Sequence, residues 1–349
     1  MARILVEGRV LAHAQTSGVE RYVAEVSRRL PLAGSMHRFE IARPLSQGML
    51  SQHLWLHFSL PQRCAAGGYD VLFCPANIAP LLKPAAARLV LTVHGIAYRF
   101  SPESYSTSFC RYYSWLVPRS LKNADAVVAV SAAEKKSILN EYPWVAPEKI
   151  HVIAGGLDHS VFNLDSKGAA QEILKQRYGI RGEFILGVGS FKPVKNFAGL
   201  IEAYRAIRNR ISAQLVLVGG TPAHGLSESA GITALGHIEA DLRYFYQAAK
   251  MLVFPSRYEG FGLPPLEAMA CGCPVIVSKA GALPEVCGDA AVYVDAEDTQ
   301  SMAAAIVEMA AREELRDEHI ARGSRRAKDF SWEKTAAETI KIFDQLCVR

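Results

Sequence analysis

The 349-residue chain lacks a Cys-x-x-Cys pair, internal repeats and low-complexity segments, and no apolar run approaches the ~18 to 20 residues that cross a bilayer. Each absence removes a class of protein. The seven cysteines, at positions 64, 74, 110, 271, 273, 287 and 347, form an odd set whose one close pair straddles an expected helix end. Reduced thiols in a reducing compartment fit that set better than a disulfide framework. A structural zinc site needs four ligands at recognisable spacings, and none is supplied, so no metal is expected. The opening Met1-Ala2-Arg3-Ile4-Leu5-Val6-Glu7-Gly8-Arg9 carries charge where a secretory leader needs an unbroken apolar region. It reads as a first strand, and a cytoplasmic protein is expected, with any membrane contact peripheral and at the inner face of the cytoplasmic membrane.

What is present suits a folded body. Half of the residues are hydrophobic and 21% are charged, an ordinary globular balance. The length predicts two domains of roughly 150 to 180 residues. The net charge of +5 is uneven: residues 1–160 hold 17 Lys and Arg against 11 Asp and Glu, whereas residues 161–349 hold 22 against 23. A basic first half suits anionic lipid head groups or a phosphorylated acceptor, and equally suits plain surface solubility. Residues 111–122 interleave Arg111, Arg119 and Lys122 with Tyr112, Tyr113 and Trp115, a pattern open to a membrane-resting helix or a half-buried one. No recognisable nucleic-acid module accompanies it, and no nucleic-acid partner is expected.

Short apolar runs at 4–6, 39–42, 69–73, 89–93 and 126–130 alternate with amphipathic stretches such as 19–30. Continuous runs between helical patterns predict parallel strands covered on both faces, a doubly wound α/β architecture. Ser131-Ala132-Ala133-Glu134 has the spacing of a capping box. The pattern restarts near residue 183, with strands expected at 184–188, 214–218, 251–254, 275–277 and 291–294. Gly155-Gly156 and the polar residues after it suit a hinge. The expected division is a first domain over 1–160, a second over 161–330, and a closing helix over 331–349 with Ser331 as its cap.

The segment richest in chemistry is Pro255-Ser256-Arg257-Tyr258-Glu259-Gly260-Phe261-Gly262-Leu263-Pro264-Pro265-Leu266-Glu267-Ala268-Met269-Ala270-Cys271-Gly272. It follows a strand and opens a helix marked by prolines at its start and Gly272 past its end. Ligands of open α/β sheets bind beyond the carboxyl ends of strands. Glycines 260 and 262 allow close backbone approach, and the amides of Phe261, Gly262 and Leu263 can hold a diphosphate at a helix amino end. Two carboxylates beside a phosphate make electrostatic sense only if they point at hydroxyls. Glu267 is therefore placed for a ribose diol and Glu259 for a sugar, although Glu267 also suits the first-turn helix dipole. Gly18, before the 19–30 helix, offers a second amino end or a plain turn, and His94 closes a buried strand as a cleft residue or a structural one.

This segment resembles the Glu-x7-Glu motif of the retaining glycosyltransferases of family 4. The likeness extends to Thr16-Ser17-Gly18-Val19-Glu20-Arg21-Tyr22, Thr92-Val93-His94-Gly95, Ala124-Asp125-Ala126-Val127-Val128-Ala129-Val130-Ser131, Gly281-Ala282-Leu283-Pro284-Glu285-Val286 and Phe330-Ser331-Trp332. The resemblance implies the GT-B architecture of two facing Rossmann-like domains, with a C-terminal helix crossing back to the first. It implies that Glu267 holds ribose, that Glu259 and the amides of Phe261, Gly262 and Leu263 hold sugar and phosphate, that Gly18 approaches the distal phosphate, and that His94 lies beside the donor sugar; His94 and Glu259 are the expected catalytic residues. Gly189-Ser190-Phe191-Lys192-Pro193-Val194-Lys195-Asn196 resembles the family's phosphate-binding stretch. Lys195 matches its Lys, whereas Ser190 stands where an Arg is common and supplies neither charge nor fork. Lys192 is placed to compensate, and Asn196 reads as a helix cap.

The function implied is retaining transfer of a hexose, mannose first, from a nucleotide diphosphate sugar to a glycan or lipid-linked acceptor in polysaccharide assembly. A GDP-sugar is the first expected donor and a UDP-sugar the second, with no cofactor, because the nucleotide sugar is a substrate. Two other readings stand beside it. One is a nucleotide-sugar 2-epimerase of similar architecture. The other, motivated by Ser190, is a noncatalytic nucleotide-sugar-binding module.

Overall fold

Across residues 1–12, 17–46, 48–220 and 231–347, which the computed structural model describes, the strands gather into two parallel sheets. The first holds β1 (Arg3–Glu7), β2 (Arg38–Ala42), β3 (Val71–Cys74), β4 (Arg88–Val93), β5 (Ala126–Ala129) and β6 (Ile150–Val152), in the order β2-β1-β3-β4-β5-β6. The second holds β7 (Phe184–Val188), β8 (Gln214–Val218), β9 (Ile232–Leu235), β10 (Met251–Phe254), β11 (Val275–Ser278) and β12 (Ala291–Val294), in the order β12-β11-β10-β7-β8-β9. All pairs are parallel, with registers such as Leu5 opposite Leu72 and Leu252 opposite Val275. The doubly wound architecture expected from the apolar runs is therefore present twice. Thr16 lies outside the described residues.

The chain divides into two units, one of Met1–Pro102, Ser106–Gly156 and Ser331–Arg349, the other of Glu103–Tyr105 and Leu157–Phe330. The closing helix, Trp332–Cys347, thus belongs with the first unit. Its buried Trp332, Ile340 and Phe343 pack inward, with Phe343 meeting Phe73 edge-on at 5.4 Å. Ser331 caps it, accepting from the Lys334 amide at 3.2 Å.

Strand cores are almost wholly apolar because both faces are covered. Leu5, Leu72, Leu89 and Val127 in the first sheet, and Ile185, Leu215, Val253 and Ile276 in the second, have no solvent exposure. Two edge strands, β6 and β9, lie outside the apolar runs that mark the expected strands. Only Ile150 and Ile232 are buried in them, so neither carries the continuous apolar run that marks the inner strands.

Each sheet has one place where successive connections turn in opposite directions, between β1 and β3 in the first and between β7 and β10 in the second. Such switch points open a crevice beyond the strand carboxyl ends, where ligands of open α/β sheets bind.

Candidate functional site

In the second unit the expected residues converge on the β7/β10 switch point. The loop after β10 carries Glu259, and the loop after β7 carries Ser190, Lys192 and Lys195. Lys195 forms an ion pair with Glu259, its ammonium 5.2 Å from the Phe254 ring centroid. The two residues are 64 apart in sequence, and their pairing follows from the adjacency of β7 and β10. Both side chains are largely withdrawn from solvent, 24% exposed for Lys195 and 10% for Glu259, so their attraction is less screened than a surface pair's. Lys192 lies over the Tyr105 ring at 4.6 Å. Desolvation and the charge of Lys195 both lower its pKa, which places two cations on the same short loop. Ser190 adds no charge to them.

The helix Leu263–Ala270 begins at Gly262, whose φ of 110° suits a residue without Cβ. Pro264 and Pro265 occupy its first turn, and Gly272 follows its end in a left-handed conformation. The amides of Phe261, Gly262 and Leu263 lead this helix and have no acceptor within it. Glu267 stands one turn further on. It is 2% exposed, and its Oε2 accepts a hydrogen bond from the Tyr246 hydroxyl at 2.9 Å. Tyr246, in Leu242–Ala248, was not foreseen as part of this group; nothing in its sequence neighbourhood marks it.

The Gly281-Ala282-Leu283 stretch has a definite task here. Gly281 (φ 54°) packs against the backbone of Glu259 so closely that a Cβ would lie 2.1 Å from the Glu259 carbonyl oxygen. The next amide, Ala282, donates to that oxygen at 2.9 Å. The loop after β11 therefore buttresses the loop after β10. Asn196 departs from expectation. It precedes the helix Phe197–Ile207, but in a left-handed conformation (φ 55°), and its side chain makes no cap. Its Nδ2 donates instead to the Ala296 carbonyl at 2.7 Å.

In the first unit, Gly18 begins the helix Gly18–Arg29. Ser17 caps it and Glu20 reaches back to the Ser17 amide at 3.0 Å, a complete capping box that the Ser-x-x-Glu spacing could have revealed. The amino end expected to receive a phosphate is thus already met by a carboxylate. His94, half-buried just past β4, has its ring 4.5 Å from that of Tyr22, edge to face. Its amide donates to Asn77 Oδ1 at 2.7 Å. Its Nε2–H donates to the Pro75 carbonyl at 2.7 Å, which fixes the tautomer and leaves Nδ1 as an acceptor. Desolvation dominates its titration and pulls the imidazole down to about 4, against weaker opposing pulls from the Pro75 carbonyl and Glu20. His94 is neutral at physiological pH.

Among the described residues, all seven cysteines are free, no group of three or more His, Cys, Asp or Glu is placed to hold a metal ion, and no helix is long and apolar enough to cross a membrane.

Family models match a stretch of each unit. Residues 17–161 match the family model described as Glycosyltransferase Family 4, and residues 182–312 match the one described as Glycosyl transferases group 1. The O-antigen chain mannosyltransferase B of Escherichia coli is 32% identical over 272 residues, covering 74% of this chain and 71% of its own. The alpha-maltose-1-phosphate synthase of Mycolicibacterium smegmatis is 29% identical over 262 residues, and the chain spans 65% of its length. In fold, the chain is similar to Anabaena Alr3699/HepE, solved in complex with UDP-glucose, with a TM-score of 0.75 and 19% identity over 99% of this chain and all of that one.

Proposed function

The chain belongs to glycosyltransferase family 4, and from that premise we propose that it moves a hexose, mannose first, from a nucleotide diphosphate sugar to a glycan or lipid-linked acceptor with retention of anomeric configuration. The observation that carries the donor reading is the grouping of Lys195, Glu259 and the leading amides of the helix Leu263–Ala270 at one switch point. An ammonium and free helix amides suit a diphosphate, and a buried carboxylate one turn on suits a diol.

On this reading the diphosphate rests on the Phe261, Gly262 and Leu263 amides and on Lys195, Glu267 accepts from the ribose hydroxyls, and Glu259 accepts from the transferred sugar. Bound phosphate would also compete with Glu259 for Lys195, freeing the carboxylate for sugar hydroxyls. The charge that develops on the leaving diphosphate is met by dipoles and an ammonium already in place. Lys195 and the amides supply this stabilisation on our reading, without a metal. The acceptor attacks the face the nucleotide leaves, and a phosphate oxygen takes its proton, so no protein nucleophile is needed. A neutral His94 with Nδ1 unprotonated serves as an acceptor toward a sugar hydroxyl. Gly18, with its helix start already capped, offers close backbone approach more than charge.

A GDP-sugar is the first donor on the strength of the mannosyltransferase relative, and a UDP-sugar the second on that of the Anabaena structure. The relatives give no support to the epimerase reading. Peripheral contact with an anionic membrane is supported by the helical stretch Met49–Leu54 and Trp55–Ser59, where Leu50, Leu54 and Phe58 recur every four residues, each at least half exposed. They lie in the half of the chain with the basic excess, and polysaccharide assembly at the inner face of the cytoplasmic membrane would use that contact.

A thermal-shift screen of GDP, UDP, ADP and their hexose conjugates tests the donor reading, because a ligand held only by the folded state raises its melting temperature. A rise with one nucleoside diphosphate and its sugar is expected; no rise with any of them would remove it.

A further inference from the structure

The other switch point, between β1 and β3, is occupied by ionisable side chains to which the donor reading gives no task. Glu7 ends β1, and Arg9 follows; both are buried, and the Arg9 amide donates to Glu7 Oε1 at 2.7 Å. Glu7 Oε2 and Arg9 Nη1 are buried with no hydrogen-bond partner among the described residues. The charge of Arg9 acts on His53 and His57, one helical turn apart, and on Tyr112 from the helix Thr107–Asn123.

Their hydrogen bonds have a single polarity. The Leu81 amide donates to His57 Nδ1 at 3.3 Å, so that nitrogen is unprotonated and the proton sits on Nε2. His57 Nε2–H donates to the Tyr112 hydroxyl oxygen at 2.9 Å, and the Tyr112 O–H donates to His53 Nδ1 at 3.0 Å. The chain ends at His53 Nε2–H, a donor with no partner among the described residues. All three side chains are half-buried and reachable from solvent. Desolvation, then the charge of Arg9, lowers the titration of both imidazoles, to about 4 for His53, so both are neutral at physiological pH.

We propose that this relay is a sugar subsite, in which His53 Nε2–H, oriented through Tyr112 and His57, donates to a hydroxyl of the acceptor. Arg9 and Glu7 are paired and offset one another, and the imidazoles are uncharged, so the cluster has no net charge to favour either an anion or a cation. A neutral polyol matches a fixed donor with an aromatic ring beside it. The subsite occupies the crevice class in which open α/β sheets bind ligands. Glu7 also ends its strand at the carboxyl edge of the sheet that His94 shares, with β3 between their strands. The assignment of this polyol as acceptor rests on the transferase reading; the binding itself does not.

The test is saturation-transfer NMR with methyl α-D-mannopyranoside, methyl α-D-glucopyranoside and methyl α-D-galactopyranoside on the intact chain without donor, alongside calorimetric titration of GDP and UDP. The wild type is expected to bind at least one glycoside. His53→Ala and Tyr112→Phe should each weaken that binding about tenfold, as the loss of one oriented hydrogen bond would. His53→Gln, which keeps a side-chain N–H, should recover part of it, and nucleotide affinity should not move in any variant. Absence of glycoside binding by the wild type, or equal binding by a natively folded His53→Ala, overturns the subsite. Glycoside binding that obeys these variants with no nucleotide binding would instead overturn the donor reading and leave the subsite standing.

Discussion

Replacing Glu267 by Gln isolates the nucleotide half of the donor site. The carboxylate is 2% exposed and one oxygen is held by Tyr246 at 2.9 Å, so the ribose would meet a charged acceptor that is already desolvated and aimed. Gln keeps the volume and still accepts from the tyrosine, so the fold should survive. What it removes is charge assistance to the diol. Hydrogen bonds to charged groups contribute about 1.5 to 3 kcal/mol and neutral ones about 1. With one or two bonds to the diol, the variant should lose about 1 to 3 kcal/mol, or roughly five- to 150-fold in Kd for the preferred nucleoside diphosphate. Calorimetry with that nucleotide and its 2′,3′-dideoxy form closes a double-mutant cycle. The dideoxy form should bind wild type and variant within about twofold, because the interaction lost in one partner is already missing in the other. An equal fall for both nucleotides would refute the ribose assignment and recast Glu267 as a structural residue of its helix.

Three other outcomes follow from the same geometry. Lys195→Met should weaken nucleoside diphosphate binding by roughly tenfold or more at low salt while leaving nucleoside binding nearly unchanged; a uniform loss across both ligands would argue against a phosphate contact. Gly281→Ala puts a methyl group against the Glu259 carbonyl in a left-handed conformation, and should cost about 2 kcal/mol or more and lower Tm by roughly 5 °C. A Tm within one degree of wild type would show that the buttress is slack. For His94, the folded-state pKa of about 4 lies below its ordinary value, so between about 4 and 6.5 the unfolded chain binds more protons. Its share of stability is complete above pH 6.5 and is lost as pH falls toward 4, by up to about 1.4 kcal/mol per pH unit, and His94→Gln should flatten that part of the Tm against pH curve.

Much of this can be read in the sequence. Inner strands such as β5 and β10 announce themselves because burial on both faces demands an unbroken apolar run, and the helix holding Glu267 is punctuated by Pro264, Pro265 and Gly272. Edge strands β6 and β9 are half-covered and left no comparable trace. Long-range pairings were also invisible. Lys195 finds Glu259, and Glu267 finds Tyr246, only because the strand order brings their loops or helices together. Gly281 could be read as a turn residue, but not as the support of Glu259. Glu7 and Arg9 stood out as charges at the end of an apolar run, and only the β1/β3 switch point gives that placement meaning.

Transfer with retention is tested most directly by NMR of the product formed from an α-linked nucleotide hexose and a glycan acceptor. Release of the nucleoside diphosphate together with a new α-linkage on the acceptor is expected. A β-linked product, or an altered nucleotide sugar with the acceptor untouched, would contradict it.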